Sequence, residues 1–285
     1  MHIKEHCSPN ESDNKYSCLD DDIIIDIAKI LNNNNQKINI NIKDSPEKIH
    51  KEISKILKNF NINKEISIKN IKQIKDNLSK EKLKRFNESF RPSMPEEWYN
   101  NINTWLCTTD ITNVLNQYKE KNKDFYLYGP TPIDFDLKEN NVCLVDSLCK
   151  LNLSDHINKG EKKIGIIFNT DPHTKGGEHW ISMYIDINGI NLKNPGIYFF
   201  DSTGEDPPEE IETLINKIIE QGEKENINFV YFENDIKHQR GGTECGMYSL
   251  HFIINMLNGT NFKKYVNEYK NDKFMEKFRK IYFVE

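Results

Sequence analysis

Apolar and polar positions fall into two textures along the chain. Residues 1–90 carry helical spacing. Ile23, Ile24, Ile27, Ile30 and Leu31 form a stripe that follows Asp20-Asp21-Asp22, acids suited to the positive end of a helix. The run Asn32-Asn33-Asn34-Asn35 is a polar break. Ser45-Pro46-Glu47 combines an N-cap residue, a first-turn proline and an acid, predicting a second helix to about Leu57. A third helix is expected over residues 68–86. From Pro92 the texture changes. Aromatic residues arrive close together (Trp98, Trp105, Phe125, Tyr126, Tyr128), and short apolar runs alternate with helical ones. The spacing predicts a helix over 110–118, an extended segment over 125–128 and a turn at Gly129-Pro130-Thr131-Pro132. A buried-type strand is expected over 163–168, then a glycine-containing loop over 169–178. Ile181, Met183 and Ile185 alternate as on a half-buried strand. A further strand covers 197–200, and Pro208 opens a helix with Ile211, Leu214, Ile215 and Ile218 on one side. Residues 229–232 form another strand, and the chain then runs through a loop into the apolar helix after Cys245. Interleaved strands and helices imply an α+β or α/β fold.

Composition limits the possibilities only modestly. A chain of 285 residues has room for one domain of ordinary size and a smaller one. We therefore expect a helical N-terminal extension over 1–90, basic in its second half, and a second domain over 91–285. The net charge of -5 excludes no class of partner. Between Lys48 and Arg85 there are twelve Lys or Arg against four Asp or Glu. Two readings remain open: solvated faces of lysine-rich helices, or a basic arm that contacts nucleic acid or an acidic partner. Stacking aromatics are missing from the stretch, which counts against single-strand binding. No segment is long and apolar enough to span a bilayer, and the polar start shows no secretory signal. The expectation is an intracellular protein with no membrane contact and six reduced cysteines. Cys7 and Cys18 are too isolated for a metal site. Cys143 and Cys149, six apart on an apparent helix, lack the usual zinc spacing and are read as core.

The candidate chemistry lies in Gln239-Arg240-Gly241-Gly242-Thr243-Glu244-Cys245-Gly246. A thiol at a helix start meets unpaired N–H groups and the positive dipole end, which favour thiolate. Gln239, six residues upstream, offers an amide that can donate to an oxyanion. The alternative for Cys245 is a small buried apolar residue. His179 stands at a strand start, and Asp201 ends the next strand. If those strands pair as antiparallel neighbours, the two lie near one sheet edge, and the carboxylate can orient the imidazole. Asp201 could instead simply cap the turn that follows it. Among other histidines, His173 sits in the loop before His179, where it is placed to line a groove; His238 could reach the cleft but lacks a partner carboxylate, and His251 reads as core or surface.

His179-Trp180, a strand ending in Asp201-Ser202, and Gln239-x5-Cys245-Gly246, in that order, resemble the ubiquitin-like-protein (SUMO) proteases and the adenovirus-type maturation proteases of the same clan. The resemblance covers roughly residues 92–265. It implies a papain-like cysteine protease fold of α+β class. It also implies Cys245 as nucleophile, His179 as base, Asp201 as its orienter and Gln239 as oxyanion donor. Trp105-Leu106 resembles the pair that opens the catalytic domain, and Trp105 and Trp180 would then bracket a narrow tunnel for a Gly-Gly tail. The acidic helix after Ser17-Cys18-Leu19 resembles a segment that precedes the protease domain in some large-DNA-virus proteins. The chain departs from the cellular members in a longer gap between His179 and Asp201, with residues 188–196 expected as an extended hairpin turn.

The resemblance implies a cysteine endopeptidase that cuts after a Gly-Gly type site, needs no cofactor or metal, and matures viral structural polyproteins in the virion or host cytoplasm as a monomer. A SUMO-type deconjugase is the alternative. A protein acetyltransferase of the same clan, with an inositol phosphate activator, is a further one, against which stands the lack of a concentrated basic pocket in the catalytic half. A catalytically silent binding module is argued against by the intact set of residues.

Overall fold

The computed structural model describes residues 6–9, 16–35 and 37–285. The chain forms two compact units, residues 1–93 with Val284, and residues 94–283 with Glu285.

The first unit is helical. Helices α1 (Asp21–Asn34) and α2 (Pro46–Lys58) follow the predicted stripe and start signal. Ser45 stands at the N-cap, although its side chain makes no capping bond. The single helix expected over 68–86 is in fact three pieces: a 3-10 turn at Glu65–Asn70, α3 (Lys72–Asn77) and α4 (Lys80–Glu88). The break falls at Leu78, which is extended, and Ser79, whose hydroxyl accepts from the Lys82 N–H at 3.3 Å. Capping a new helix there satisfies an end that a continuous helix would not have had. Ile23, Ile24, Ile27, Ile49, Ile53 and Phe86 meet in the core. A disulfide joins Cys7 to Cys18. Part of the basic stretch is neutralised within the unit. Arg85 pairs with Asp20 and Asp22, Lys82 with Asp22 and Asp26, and Lys51 with Glu47.

The second unit is built on a five-stranded mixed sheet in the order β1-β4-β5-β6-β7. Helix α5 (Thr108–Lys121) leads into β1 (Phe125–Pro132). The turn expected at 129–132 is instead the end of that strand, carried past a register shift between Tyr128 and Thr131. A small hairpin, β2 (Lys138–Glu139) and β3 (Val142–Cys143), precedes the short helices α6 (Asp146–Cys149) and α7 (Leu153–Asn158). Then come β4 (Lys163–Asn169), β5 (Trp180–Asp186), β6 (Gly196–Phe200), α8 (Glu209–Lys224) and β7 (Val230–Glu233). Helices α9 (Cys245–Leu257), α10 (Phe262–Asn267) and α11 (Asp272–Tyr282) complete the unit. Strand β4 pairs parallel with β1 and antiparallel with β5; β5 and β6 are antiparallel, and β6 and β7 parallel.

Alternation along the strands sends side chains to two cores. Ile181, Met183 and Ile185 face the cluster that includes Ile211, Leu214, Ile215 and Ile218 of α8. Trp180 and Tyr184 face the cluster built on α9. Strand β5 is thus buried throughout rather than on one face, because α9 covers the side expected to meet water. The α+β class and the helical N-terminal region read from the sequence are borne out. The cysteines are not all reduced thiols: besides Cys7–Cys18, Cys143 is bonded to Cys149. That second pair lies on β3 and at the end of α6, not on one helix. Cys107 and Cys245 are free. Among the described residues, no helix is long and apolar enough to cross a membrane.

Candidate active site

The antiparallel pairing of β5 with β6 sets Ser182 opposite Phe200, so the residues just before β5 and just after β6 share one edge of the sheet. His179 and Asp201 meet there, with His179 Nε2 2.8 Å from Asp201 Oδ1. Oδ1 also accepts from the Thr203 N–H at 2.7 Å and the Thr203 hydroxyl at 2.8 Å. Asn234 fixes the Asp201 backbone: its Oδ1 accepts from the Asp201 N–H at 2.9 Å, and its Nδ2 donates to the Asp201 carbonyl at 2.8 Å. The Asp201 carboxylate thus has little freedom to turn from the ring.

The longer connection between β5 and β6 is held by Asp186. Its carboxylate accepts from the N–H groups of Asn188 and Asn191 at 3.1 and 2.8 Å. Asn191 Nδ2 then donates to the carbonyls of Met256 and Thr260, tying the hairpin to the end of α9. The connection is thereby held at the end of β5 and against the end of α9.

Cys245 is the first residue of α9 and is buried, 2% exposed. The His179 ring lies beside Cys245, whose sulfur helps hold it in the charged form. Because Nε2 is engaged by Asp201, Nδ1 is the nitrogen left for the sulfur. Burial disfavours the imidazolium, but the interactions with Asp201 and Cys245 outweigh it and raise the pKa of His179 to about 10. Gly246 suits a close approach: a Cβ there would lie 3.0 Å from Leu106 Cβ and 3.3 Å from Trp180 Cδ1, and these side chains would have to give way. The Ser249 hydroxyl donates to the Trp180 carbonyl at 3.3 Å, stitching α9 to β5.

Gln239 is buried and held at both ends of its amide. Its Oε1 accepts from the Ser202 hydroxyl at 2.7 Å, and its Nε2 donates to the Gly241 carbonyl at 2.8 Å. One amide hydrogen remains. The next carbonyl, of Gly242, accepts from Trp105 Nε1 at 2.6 Å. Trp180 Nε1 donates to the Leu106 carbonyl at 2.9 Å. Trp105 is half exposed and Trp180 buried, and both line a groove of about 450 Å³ with Pro130, Gly176, Gly177 and Glu178.

The other histidines stand apart from this set. His173 lines the groove, as expected, with Nδ1 2.7 Å from Asp134 Oδ2. His238 is fully buried; its Nδ1 accepts from the Lys270 N–H at 3.2 Å, and burial, then nearby Lys270, lowers its pKa to about 4. His251 packs in the core against Tyr265. Sequence reasoning missed Asn234 and Thr203, and the bond of Ser202 to Gln239, because these contacts span distant segments or turns with no motif of their own. It also missed Asp272 and Arg279, which reach the 239–245 loop from α11.

Fold and site together fit the cysteine-peptidase class. The chain belongs to the family whose model, described as YopJ Serine/Threonine acetyltransferase, matches residues 71–283. It is similar to a protein of Acanthamoeba polyphaga mimivirus named "Putative thiol protease", at 33% identity over 180 residues, 63% of this chain and 56% of that protein. It is also similar to a SUMO-1 cysteine protease of African swine fever virus, at 28% identity over 188 residues, 62% of this chain and 67% of that one. The chain thus spans little more than half the length of the mimivirus relative. The crystal structure of an African swine fever virus protease matches with a TM-score of 0.67 at 21% identity, over 98% of this chain and 95% of that one. The resemblance read from His179-Trp180, Asp201-Ser202 and Gln239-x5-Cys245 is borne out.

Proposed function

We propose that the unit over residues 94–283 is the catalytic domain of a cysteine endopeptidase with Cys245 as nucleophile, His179 as base and acid, and Asp201 as orienter. The order Asp201, His179, Cys245, with the carboxylate hydrogen-bonded to the ring and the ring beside the sulfur at the first turn of α9, carries this reading. Asp201 fixes the ring so that Nδ1 takes the thiol proton, leaving a thiolate beside an imidazolium. The sulfur attacks a peptide carbonyl. The remaining amide hydrogen of Gln239 and the Cys245 N–H stabilise the oxyanion, each such donor being worth roughly 3 kcal/mol. His179 then protonates the leaving amine, and water, deprotonated by the same ring, releases the acyl group.

The substrate in this reading is a protein with a Gly-Gly site, its glycines passing between Trp105 and Trp180, both of which line the groove. The enzyme acts as a monomer on viral structural polyproteins, in the virion or host cytoplasm. The viral origin of the relatives favours this over removal of a ubiquitin-like modifier. In the N-terminal unit, Lys48, Lys55, Lys58, Lys72, Lys75 and Lys80 are exposed, and these would carry a salt-dependent nucleic-acid contact. Absence of DNA binding by the full chain at low salt removes that part.

A second reading, favoured by the family model's description, keeps Cys245 and its acyl-enzyme but passes an acetyl group to a protein hydroxyl instead of water. One panel of substrates separates the readings. Cleavage of peptides with an internal Gly-Gly-x site, abolished by Cys245→Ala, supports the endopeptidase. Labelling by a modifier with an electrophilic C-terminus, without peptide cleavage, supports the deconjugase. Acetyl-CoA turnover onto a target protein without hydrolysis supports the transferase.

A further inference from the structure

The loop between Gln239 and Cys245 has two glycines near its centre and few side chains with which to hold itself. Its anchors come from α11. At the start of that helix, Asp272 Oδ2 accepts from the Gly241 N–H at 2.8 Å and the Arg240 N–H at 3.1 Å. Asp272 Oδ1 accepts from the Tyr248 hydroxyl at 3.2 Å, one turn into α9. Gly241 is also the residue whose carbonyl receives the Gln239 amide. One carboxylate therefore sets the residue that aims Gln239. Helix capping does not explain it, because Asn271 is the N-cap and its side chain already accepts from the Phe274 N–H at 2.9 Å.

Seven residues later on the same helix, Arg279 fixes the far end of the loop. It donates to both carboxylate oxygens of Glu244, at 3.1 and 2.8 Å, and to the Thr243 carbonyl at 3.2 Å. With Cys245 held from that side, freedom lost or gained at Asp272 falls on Gly241 and Gln239.

We propose that Asp272 is a positioning residue for the oxyanion donor: through the Gly241 backbone it holds the Gln239 amide where the tetrahedral intermediate forms, without touching the substrate itself. This rests on the proposed use of Cys245 and Gln239 in acyl transfer. A misplacement of an ångström can cost on the order of 100-fold in rate. The effect should be confined to reactions that pass through an oxyanion.

Two reagents on the full-length protein test it, with modification at Cys245 followed by mass spectrometry. 4-Nitrophenyl acetate acylates the sulfur through a tetrahedral oxyanion and releases nitrophenolate. Iodoacetamide alkylates the same sulfur by displacement of iodide, with no oxyanion. The expected result for Asp272→Ala is acylation slowed by roughly ten- to 100-fold and alkylation within about twofold of wild type. Asp272→Asn retains an oxygen that can accept both loop N–H groups, so it should acylate within about threefold of wild type. Equal acylation by Asp272→Ala and wild type overturns the proposal and leaves the acyl-transfer reading standing. So does an equal loss of acylation and alkylation, because the nucleophile itself has then been displaced. If Asp272→Asn is as slow as Asp272→Ala, the hydrogen-bonding role is overturned. If wild-type Cys245 alkylates but does not acylate, the underlying reading fails and the proposal with it.

Discussion

Replacing Arg279 with Met tests how the helix that starts at Cys245 is anchored. Both members of the Arg279–Glu244 pair are dry, with side-chain exposures of 0% and 3%. Arg279 also donates to the Thr104 carbonyl at 3.0 Å, and its guanidinium lies 4.5 Å from the centre of the Trp98 ring. Met fills similar volume, so the change removes charge and four hydrogen bonds with little loss of packing. Glu244 is left as a buried carboxylate without its cation. Breaking a buried pair from one side costs about 3–5 kcal/mol, because the orphaned charge loses its partner while staying out of water. In a unit of this size each kcal/mol shifts Tm by about 2–4 °C, so a fall of roughly 6–20 °C is expected. Adding Glu244→Gln removes the orphaned charge and should return about half of the loss or more. Urea and thermal unfolding of wild type, both single variants and the double variant form the assay. If Arg279→Met costs less than about 1 kcal/mol, as an exposed pair would, or if the double variant is no more stable than that single one, the reasoning fails.

Three further outcomes follow from the site. The pKa of His179 is raised in the fold from 6.5 to about 10, so the stability it contributes is complete below about pH 6.5 and is lost as pH rises toward about 10; Asp201→Asn should flatten that decline in urea unfolding and move the alkaline limb of kcat/KM to lower pH, and an unmoved limb would disconnect the carboxylate from the ring. Trp105→Ala removes a half-exposed ring, so KM for a Gly-Gly peptide should rise by about two- to twelvefold, the equivalent of 0.5–1.5 kcal/mol of aromatic contact, with kcat little changed; an unchanged KM would take the ring out of substrate binding. Thiol titration of the denatured, unreduced protein should find two groups, Cys107 and Cys245, and six after reduction; six before reduction would contradict both disulfides.

What could be read in advance was local or ordered along the chain. The isoleucine stripe of α1 and the Ser45-Pro46-Glu47 start of α2 are signals within one turn, and both helices follow them. The antiparallel approach of His179 and Asp201 was legible because the two strands are consecutive and joined through a turn. The break at Leu78–Ser79 was not, because neither glycine nor proline marks it and a serine inside a helical pattern is ambiguous until its hydroxyl finds a partner. Burial of the second face of β5 depends on α9, about 60 residues later, and no periodicity within the strand reports that. The disulfides were hidden for the same reason: Cys7 and Cys18 carry no spacing signal, and the Cys143–Cys149 pair depends on the small hairpin turning back onto α6.

The supporting groups show how the site divides rigidity from access. Gly242 is not demanded by packing: a Cβ built there meets nothing within 4 Å, so that side of the loop is open. A loop without side chains leaves room for another backbone to approach, but glycine also gives the unfolded and mobile states the most freedom. Besides the Gln239 amide bond to the Gly241 carbonyl, the compensating bonds come from outside the loop. The Ser202 hydroxyl, just beyond β6, holds the Gln239 amide; Asp272 holds Gly241; Arg279 holds Thr243 and Glu244; Trp105 donates to Gly242. Each contact is made to a different residue of the loop, so none duplicates another. The loop can thus stay bare on its open face while it is fixed from behind, which the proposed stabilisation of a developing charge by preorganised donors would require.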